Sequence, residues 1–189
     1  MKTIKFMLVV AFACIAFSTN SQAQMKKKSP YPNFSLSPVG GIAFPIGNFG
    51  DNFKSGPSFG LDISYRVNKE VGFYAKFGYN IFASKTVGLS DAKLIEATAG
   101  PRYFFTSRNL KSSIFLEAGL GAYNLKVDAS PTTLETSETK FGVNAGIGAV
   151  LNLSKPIDLV FKVKYHNILT EGGSSSYIAP MLGLDFRFN

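Results

Sequence analysis

The sequence predicts an all-β fold, an eight-stranded antiparallel up-and-down transmembrane β-barrel. The first observation is the strict alternation of apolar with polar or small side chains along most of the chain after residue 33, which is the period of a β-strand with two different faces. The second is that the alternating segments number eight, because an even number lets an antiparallel sheet close on itself. The third is that no helical periodicity is recognisable after Ala23.

The clearest alternation lies between Thr139 and Tyr165, where two runs flank a turn at 154–156. In each run one parity is apolar, and the other consists mainly of glycine, amide and charged residues. We therefore predict two long antiparallel strands joined by a tight turn.

Six further strands are predicted at about 34–44, 57–67, 71–82, 92–105, 113–127 and 177–188. The connections alternate between long ones at 45–56, 83–91, 128–138 and 169–176 and short ones at 68–70, 106–112 and 154–156. Short periplasmic turns and longer extracellular loops are typical of bacterial outer-membrane barrels, so both termini are expected in the periplasm. Pro101 lies inside the fourth strand and predicts a bulge near Gly100, because proline cannot donate to the ladder.

The first 23 residues have the features of a secretory signal peptide. Lys2 and Lys5 precede an apolar run at 6–17, and Ser21-Gln22-Ala23 forms a small-x-small site, which predicts cleavage between Ala23 and Gln24. A membrane anchor is the first alternative, but the run is shorter than the roughly 20 residues that a spanning helix needs. A lipoprotein signal ending at Cys14 is the second, but Cys14 lies inside the apolar run. We predict a periplasmic linker at 24–33 and the outer-membrane barrel domain at 34–189.

Composition limits the chemistry that this chain can perform. Cys14 is the only cysteine, so a chain cleaved after Ala23 has no disulfide, thiol nucleophile or cysteine metal site. The net charge is +8, and the lysines at 26–28 could bind nucleic acid or anionic lipid. No aromatic residue interleaves with these lysines, which favours a solvated tail and no nucleic-acid partner. No metal cluster or cofactor motif is recognisable, so no cofactor is expected.

Alternation alone leaves open which face of the barrel is inside. A soluble lipocalin-like barrel has its apolar face inside, whereas a membrane barrel turns it towards lipid. The apolar parity is free of charge except for Lys93, and the opposite parity is rich in glycine, which suits a narrow interior. Aromatic residues near the strand ends of the apolar face are candidates for interfacial girdles: Phe44, Phe59, Tyr65, Phe73, Tyr79, Tyr103, Phe105, Tyr165, Phe186 and Phe188. These features predict that the apolar face contacts lipid.

The opposite parity contains ionisable residues of both signs. Eight strands enclose an interior that side chains can fill, and buried charges must be paired. We therefore predict a lumen closed by a charge network, with a gated proton or ion path as the alternative interpretation. The predicted members are Asp62, Arg66, Lys76, Glu96, Arg102, Glu117, Asp158, Lys162, Lys164, Asp185 and Arg187.

Four features carry a resemblance to a known family. They are the signal peptide, the alternating strands, the run Gly-Pro-Arg-Tyr-Phe-Phe at 100–105 and the ending Gly-Leu-Asp-Phe-Arg-Phe at 183–188. The chain resembles the small outer-membrane β-barrels of Gram-negative bacteria, in the style of the OmpX/OmpA-type barrels found widely in Bacteroidetes. The resemblance implies an integral outer-membrane protein, monomeric in the manner of such barrels, that is surrounded by outer-membrane lipid. It also implies that Phe186 and Phe188 act as an assembly signal for the barrel-insertion machinery, although Asn189 departs from an aromatic last residue.

Three functions are compatible with this fold. The first is a structural or surface-binding role, in which the loops at 47–55 and 128–138 contact an extracellular ligand. The second is a small pore. The third is a lipid-modifying enzyme, for which His166 is the only histidine; Ile168 stands two residues later where the barrel enzymes would have serine. That substitution favours a non-enzymatic protein.

Overall fold

The computed structural model describes residues 33–85, 90–106, 112–127, 136–170 and 173–188. They form a closed antiparallel barrel in which each strand pairs with the next and the last strand pairs with the first, as predicted. The strands are β1 (Asn33–Ile46), β2 (Gly56–Arg66), β3 (Val71–Phe82), β4 (Ala92–Thr106), β5 (Ser112–Val127), β6 (Thr136–Asn152), β7 (Ile157–Thr170) and β8 (Gly173–Phe188). We call the end with the connections 67–70, 107–111 and 153–156 the turn end, and the opposite end the loop end.

The register fixes the inclination of the strands. Following ladder partners once around the barrel from Leu36 leads to Ile46, a displacement of ten residues, by way of Ile63, Ala75, Ala99, Leu120, Val143, Asn167 and Ser176. A shear of ten in eight strands corresponds to a tilt of roughly 40° from the barrel axis. Because of this tilt, residues that meet across the lumen are distant in both sequence and ladder register.

The last connection is shorter than predicted. The interval 169–176 was expected to be a long loop, but β7 continues to Thr170 and β8 begins at Gly173, and these two residues are ladder partners. In the same way, β6 begins at Thr136 inside the predicted loop 128–138 and pairs with Val127. Backbone hydrogen bonding continues through these polar residues because an antiparallel ladder does not require apolar side chains.

The expected bulge at Pro101 is wrong. The β3–β4 ladder runs through Phe73 and Pro101 without a register change. On the other side, Ala99 pairs with Leu120 and Arg102 pairs with Glu117, again in one register. The barrel accommodates the proline within a regular ladder, so no extra residue is inserted.

A short helix, α1 (Asn48–Asn52), corrects the expectation of no helix after Ala23. Gly47 precedes it with φ of 58°, a left-handed backbone conformation that glycine adopts at little cost. Lys54 N donates to Ala83 O at 2.8 Å, and Lys85 N donates to Asn52 O at 2.9 Å, which holds the segment against the end of β3. In the described ranges, no helix has the length and apolar character needed to cross a membrane.

The apolar parity faces outward, as the membrane interpretation requires. Lys126 lies on this parity as well as Lys93, its ladder partner, so the expectation of a single charge there is wrong. Phe77, Leu120 and Ile147 in the middle of the wall are each more than half exposed. Aromatic side chains occupy both margins of this wall, for example the Phe34–Phe188 pair with ring centroids 6.1 Å apart at the turn end. Such a wall is stable in lipid and unfavourable in water.

Candidate functional site: the charged lumen

The polar parity points into the barrel and brings the predicted charged residues together there. The buried members are Asp62, Lys76, Glu96, Arg102, Glu117, Asp158, Lys162, Lys164 and Asp185. Arg66 and Arg187 are half-buried at the turn end.

The central cluster joins three cations to two carboxylates. Arg102 donates to Glu117 Oε2 from Nε at 2.8 Å and from Nη2 at 2.5 Å, and its Nη2 lies 3.3 Å from Asp62 Oδ2. Lys164 Nζ lies 3.1 Å from the other oxygen of Glu117. Lys162 Nζ binds Asp62. Each carboxylate therefore bridges two cations from different strands.

A second cluster lies nearer the loop end, around Glu96. Lys76 Nζ binds Glu96 Oε1, while Tyr177 Oη donates to Glu96 Oε2 at 3.0 Å. His166 Nδ1 lies 3.1 Å from the same Oε2 and 2.9 Å from Tyr123 Oη. The His166 ring stacks on Tyr177 with centroids 4.4 Å apart and an interplanar angle of 3°. These side chains extend across the lumen and interlock.

Tyr74 and Asn144 connect the two clusters. Lys164 Nζ donates to Tyr74 Oη at 3.2 Å, and Tyr74 Oη donates to Asn144 Oδ1 at 2.6 Å. Asn144 Nδ2 then donates to Tyr123 Oη at 3.4 Å. The polar contacts are thus continuous from Arg102 to Glu96.

The turn end has its own smaller groups. Arg187 Nε lies 2.9 Å from Asp158 Oδ2, and Asn152 Nδ2 donates to Asp158 Oδ1 at 2.7 Å. Ser37 donates to Asp185. The guanidinium of Arg66 stacks over the Phe104 ring at 3.8 Å. Aromatic and aliphatic side chains separate these groups from the central cluster: Phe104, Phe115, Val150 and Val160.

Apolar packing closes the loop end. Phe49 of α1 is 5% exposed, and its ring lies edge-on to Phe82 at 5.0 Å. Phe82 in turn contacts Tyr177 at 5.7 Å. The remaining apolar side chains of this layer include Leu94, Ile168, Leu125 and Val127. The helix is therefore a lid that covers the charged clusters with aromatic rings.

Glycines on the inner wall make room for the side chains that cross the lumen. A Cβ at Gly142 would lie 2.7 Å from Tyr123 Cε2, and one at Gly119 would collide with Tyr74 Oη. At Gly148 a Cβ would lie 2.7 Å from Phe115 Cε1 and 2.7 Å from the carbonyl oxygen of Phe161. The glycines of the inner wall therefore leave the space that these large rings occupy.

Gly148→Ala is expected to destabilise the barrel by about 1–3 kcal/mol, the usual range for overpacking. The added methyl group would contact both a buried ring and a backbone oxygen, and the oxygen has little freedom to move. The urea midpoint of unfolding from lipid vesicles measures the change. Gly40→Ala is the matched control, because its Cβ would meet Phe59 Cδ1 at an ordinary 3.8 Å. Equal midpoints for the two variants would contradict the close packing at Gly148.

Sequence reasoning did not assign a role to the tyrosines, Asn144 or His166 in the lumen network. Tyr74, Tyr123 and Tyr177 share the inward parity of their charged neighbours, and that parity was the available signal. Their contacts, however, join strands that are not neighbours, such as β4 and β8 in the Glu96–Tyr177 bond.

His166 is fully buried and surrounded by Glu96, Tyr123 and Tyr177. This position is separated from lipid by the barrel wall and from the loop end by the aromatic layer. In the described part of the chain, no group of three or more histidine, cysteine, aspartate or glutamate residues is arranged to hold a metal ion.

The remaining predicted residues lie at the turn end or outside the described ranges. Phe188 is exposed on the outer wall, and Phe186 is half-buried between Leu36 and Ile157, its ladder partners. Ala23 and Gln24, and with them the predicted signal peptide, lie outside the described residues, as do Asn189 and 128–135 of the third long loop.

Comparisons with known proteins agree with this architecture. Residues 9–188 match the profile of the family described as outer membrane protein beta-barrel domain. No curated protein matches the chain significantly in sequence.

Three solved structures share the fold. Neisserial surface protein A has a TM-score of 0.68 and 18% identity, with 82% of this chain and 97% of that chain covered. OprG of Pseudomonas aeruginosa has a TM-score of 0.62 and 13% identity, with 85% and 98% covered. Ail, the attachment invasion locus protein of Yersinia pestis, has a TM-score of 0.60 and 20% identity, with 83% and 99% covered.

Proposed function

The chain belongs to the outer membrane protein beta-barrel family, and we propose that it is a closed, non-conducting barrel whose biological role is exercised by its loop end. In this proposal the loop end faces the outside of the cell, both termini lie in the periplasm, and 1–23 directs export. Phe186 and Phe188 would serve assembly. The barrel itself acts as an anchor that holds the loop end at the surface.

The observation that carries this proposal is that buried side chains of the described residues cross the lumen and bond to one another. Lys162, Lys164 and His166 on one strand are completely buried, and so is Tyr177 on the next. Lys162 reaches Asp62 of β2, Lys164 reaches Tyr74 of β3 and Tyr177 reaches Glu96 of β4. These partners are three or four strands away around the barrel, so the side chains cross the lumen instead of lining a channel. The lid residue Phe49 adds an apolar layer above them. An ion would have to break charge-assisted hydrogen bonds to pass, and these are among the strongest polar contacts.

The purified folded protein is expected to produce no unitary current steps in a planar lipid bilayer. Phe49→Ala should remain silent as well, because the charged clusters beneath the lid still fill the lumen. The double variant Y74A/Y177A removes two side chains that cross the barrel and is expected to raise the leak current. A large, steady unitary conductance of the unmodified protein would contradict the proposal and favour a pore.

The role that we propose for the loop end is binding at the cell surface. The barrel is regular along its whole register, whereas the loop end has the long connections and the helix α1. Connections on a rigid scaffold are the usual location of recognition. Deleting 128–135 should therefore abolish binding to an extracellular ligand while the barrel still folds, as judged by heat-modifiable migration on gels.

A further inference from the structure

A groove of about 490 Å³ lies on the outside of the barrel at the turn end. Tyr103 and Phe105 of β4 and Ile114 of β5 form its apolar part, and Glu70 of the connection 67–70 borders it. These apolar side chains are exposed on the outer wall, so the groove is separate from the charged lumen. Its volume lies in the usual range of sites for small ligands.

The segment that supplies Glu70 is held against β4. Glu70 O accepts a hydrogen from Phe104 N at 2.6 Å, and Asn68 Oδ1 accepts hydrogens from the backbone N of Glu70 and of Val71, each at 2.8 Å. Val71 is also the ladder partner of Tyr103. The backbone that carries the carboxylate is therefore fixed beside the rings before any ligand binds, which lowers the entropy cost of binding.

The groove combines aromatic rings with a carboxylate, and this combination suits an organic ammonium group. The rings of Tyr103 and Phe105 have centroids 5.0 Å apart and an interplanar angle of 73°. An ammonium group over such a ring is attracted by the ring quadrupole, and its N–H groups can donate to a carboxylate at the same time. The Glu70 side chain is exposed at the rim. Lys69 lies at the same rim and already has a contact within the protein, so the site is assigned to Glu70 and the rings alone.

We propose that this groove binds the ammonium group of phosphatidylethanolamine, with Glu70 as the hydrogen-bond acceptor and Tyr103 as the cation–π partner. The occupant is a lipid and not a soluble amine, because the rings belong to the lipid-facing wall at the margin where headgroups meet hydrocarbon. Ethanolamine is favoured over choline, since a trimethylated ammonium group has no N–H to donate to Glu70. The inference depends on the membrane location of the barrel and not on whether its lumen is closed.

The test is a native mass spectrometry titration of the folded protein in detergent with dioctanoyl phosphatidylethanolamine. The unmodified protein is expected to retain one such molecule more tightly than dioctanoyl phosphatidylcholine or phosphatidylglycerol. E70Q and Y103L are each expected to weaken its binding about threefold, the size of an exposed ion pair and of an exposed cation–π contact. Y103F should bind like the unmodified protein, because the ring remains. Free ethanolamine at equal concentration should not displace the lipid.

The double variant E138Q/Y65L is the matched control for E70Q/Y103L. Glu138 is an exposed carboxylate at the loop end, and Tyr65 is 47% exposed on the outer wall at the turn end, against 44% for Tyr103. The control should bind phosphatidylethanolamine like the unmodified protein, whereas E70Q/Y103L should bind it about tenfold more weakly, the product of the two single effects.

Equal binding by E70Q/Y103L and the control would overturn the site. Binding of phosphatidylcholine or phosphatidylglycerol as tight as that of phosphatidylethanolamine would overturn it as well. Displacement by free ethanolamine would overturn the choice of lipid. Heat-modifiable migration checks that every variant is folded, and the bilayer current tests the closed lumen separately.

Discussion

Replacing Glu117 by alanine is expected to lower the free energy of unfolding by about 3–5 kcal/mol, the range for breaking a buried ion pair. Glu117 is buried and binds Arg102 through two hydrogen bonds and Lys164 at 3.1 Å. The variant leaves these two cations without that carboxylate in an interior where unpaired charge is costly. Urea unfolding from lipid vesicles measures the change. It is followed by far-ultraviolet circular dichroism, because the chain has no tryptophan to report unfolding by fluorescence.

Glu138→Ala is the matched control, because Glu138 forms an ion pair with Lys140 at 3.1 Å in which its own side chain is 58% exposed. That exposed pair should contribute less than about 1 kcal/mol. Glu117→Gln keeps an acceptor for Arg102, so its loss of unfolding free energy should lie between the losses of Glu117→Ala and Glu138→Ala. If Glu117→Ala costs no more than Glu138→Ala, water solvates the lumen charges and the closed interior is wrong.

Replacing Ile147 by arginine is expected to destabilise the barrel by about 2–4 kcal/mol, the cost of a cation facing the middle of a bilayer. Ile147 is 52% exposed on the outer wall, between its ladder partners Leu116 and Val163. Its side chain points to lipid, so an arginine there has no partner within the barrel. Folding yield in vesicles and the urea midpoint both report the cost.

Leu169→Arg is the depth control for this prediction. Leu169 is as exposed as Ile147, at 51%, but it lies next to Thr170, the last residue of β7. A cation near the interface should cost about 0–1 kcal/mol. Equal costs at the two positions would show that the apolar wall does not span a membrane.

Parity was sufficient to predict most of the fold. The alternation around Ile147 and Gly146 identified which residues face outward, and charges on the other parity identified the lumen. The strand number and the closed antiparallel order followed from the same pattern, because successive strands joined by short connections pair with each other.

The cross-lumen contacts could not be predicted in this way. Parity states that Glu96 and Tyr177 both point inward, but the shear of the barrel decides that they meet. The helix α1 was missed because five residues are too few to show a helical period. The end of β7 and the start of β8 were missed because Thr170 and residues 173–176 have the composition of a loop, although the ladder continues through them.

The uniform register of the barrel has a consequence for how such a gene can change. Because no bulge absorbs an extra residue at Pro101, deleting a single codon inside β4 would turn every side chain beyond it to the opposite face. Glu96 or Arg102 would then face lipid. Strands of this kind can lengthen or shorten only in steps of two codons, and odd insertions are confined to the connections. Length variation among descendants of this gene should therefore accumulate at the loop end, where selection can act on it without rebuilding the wall.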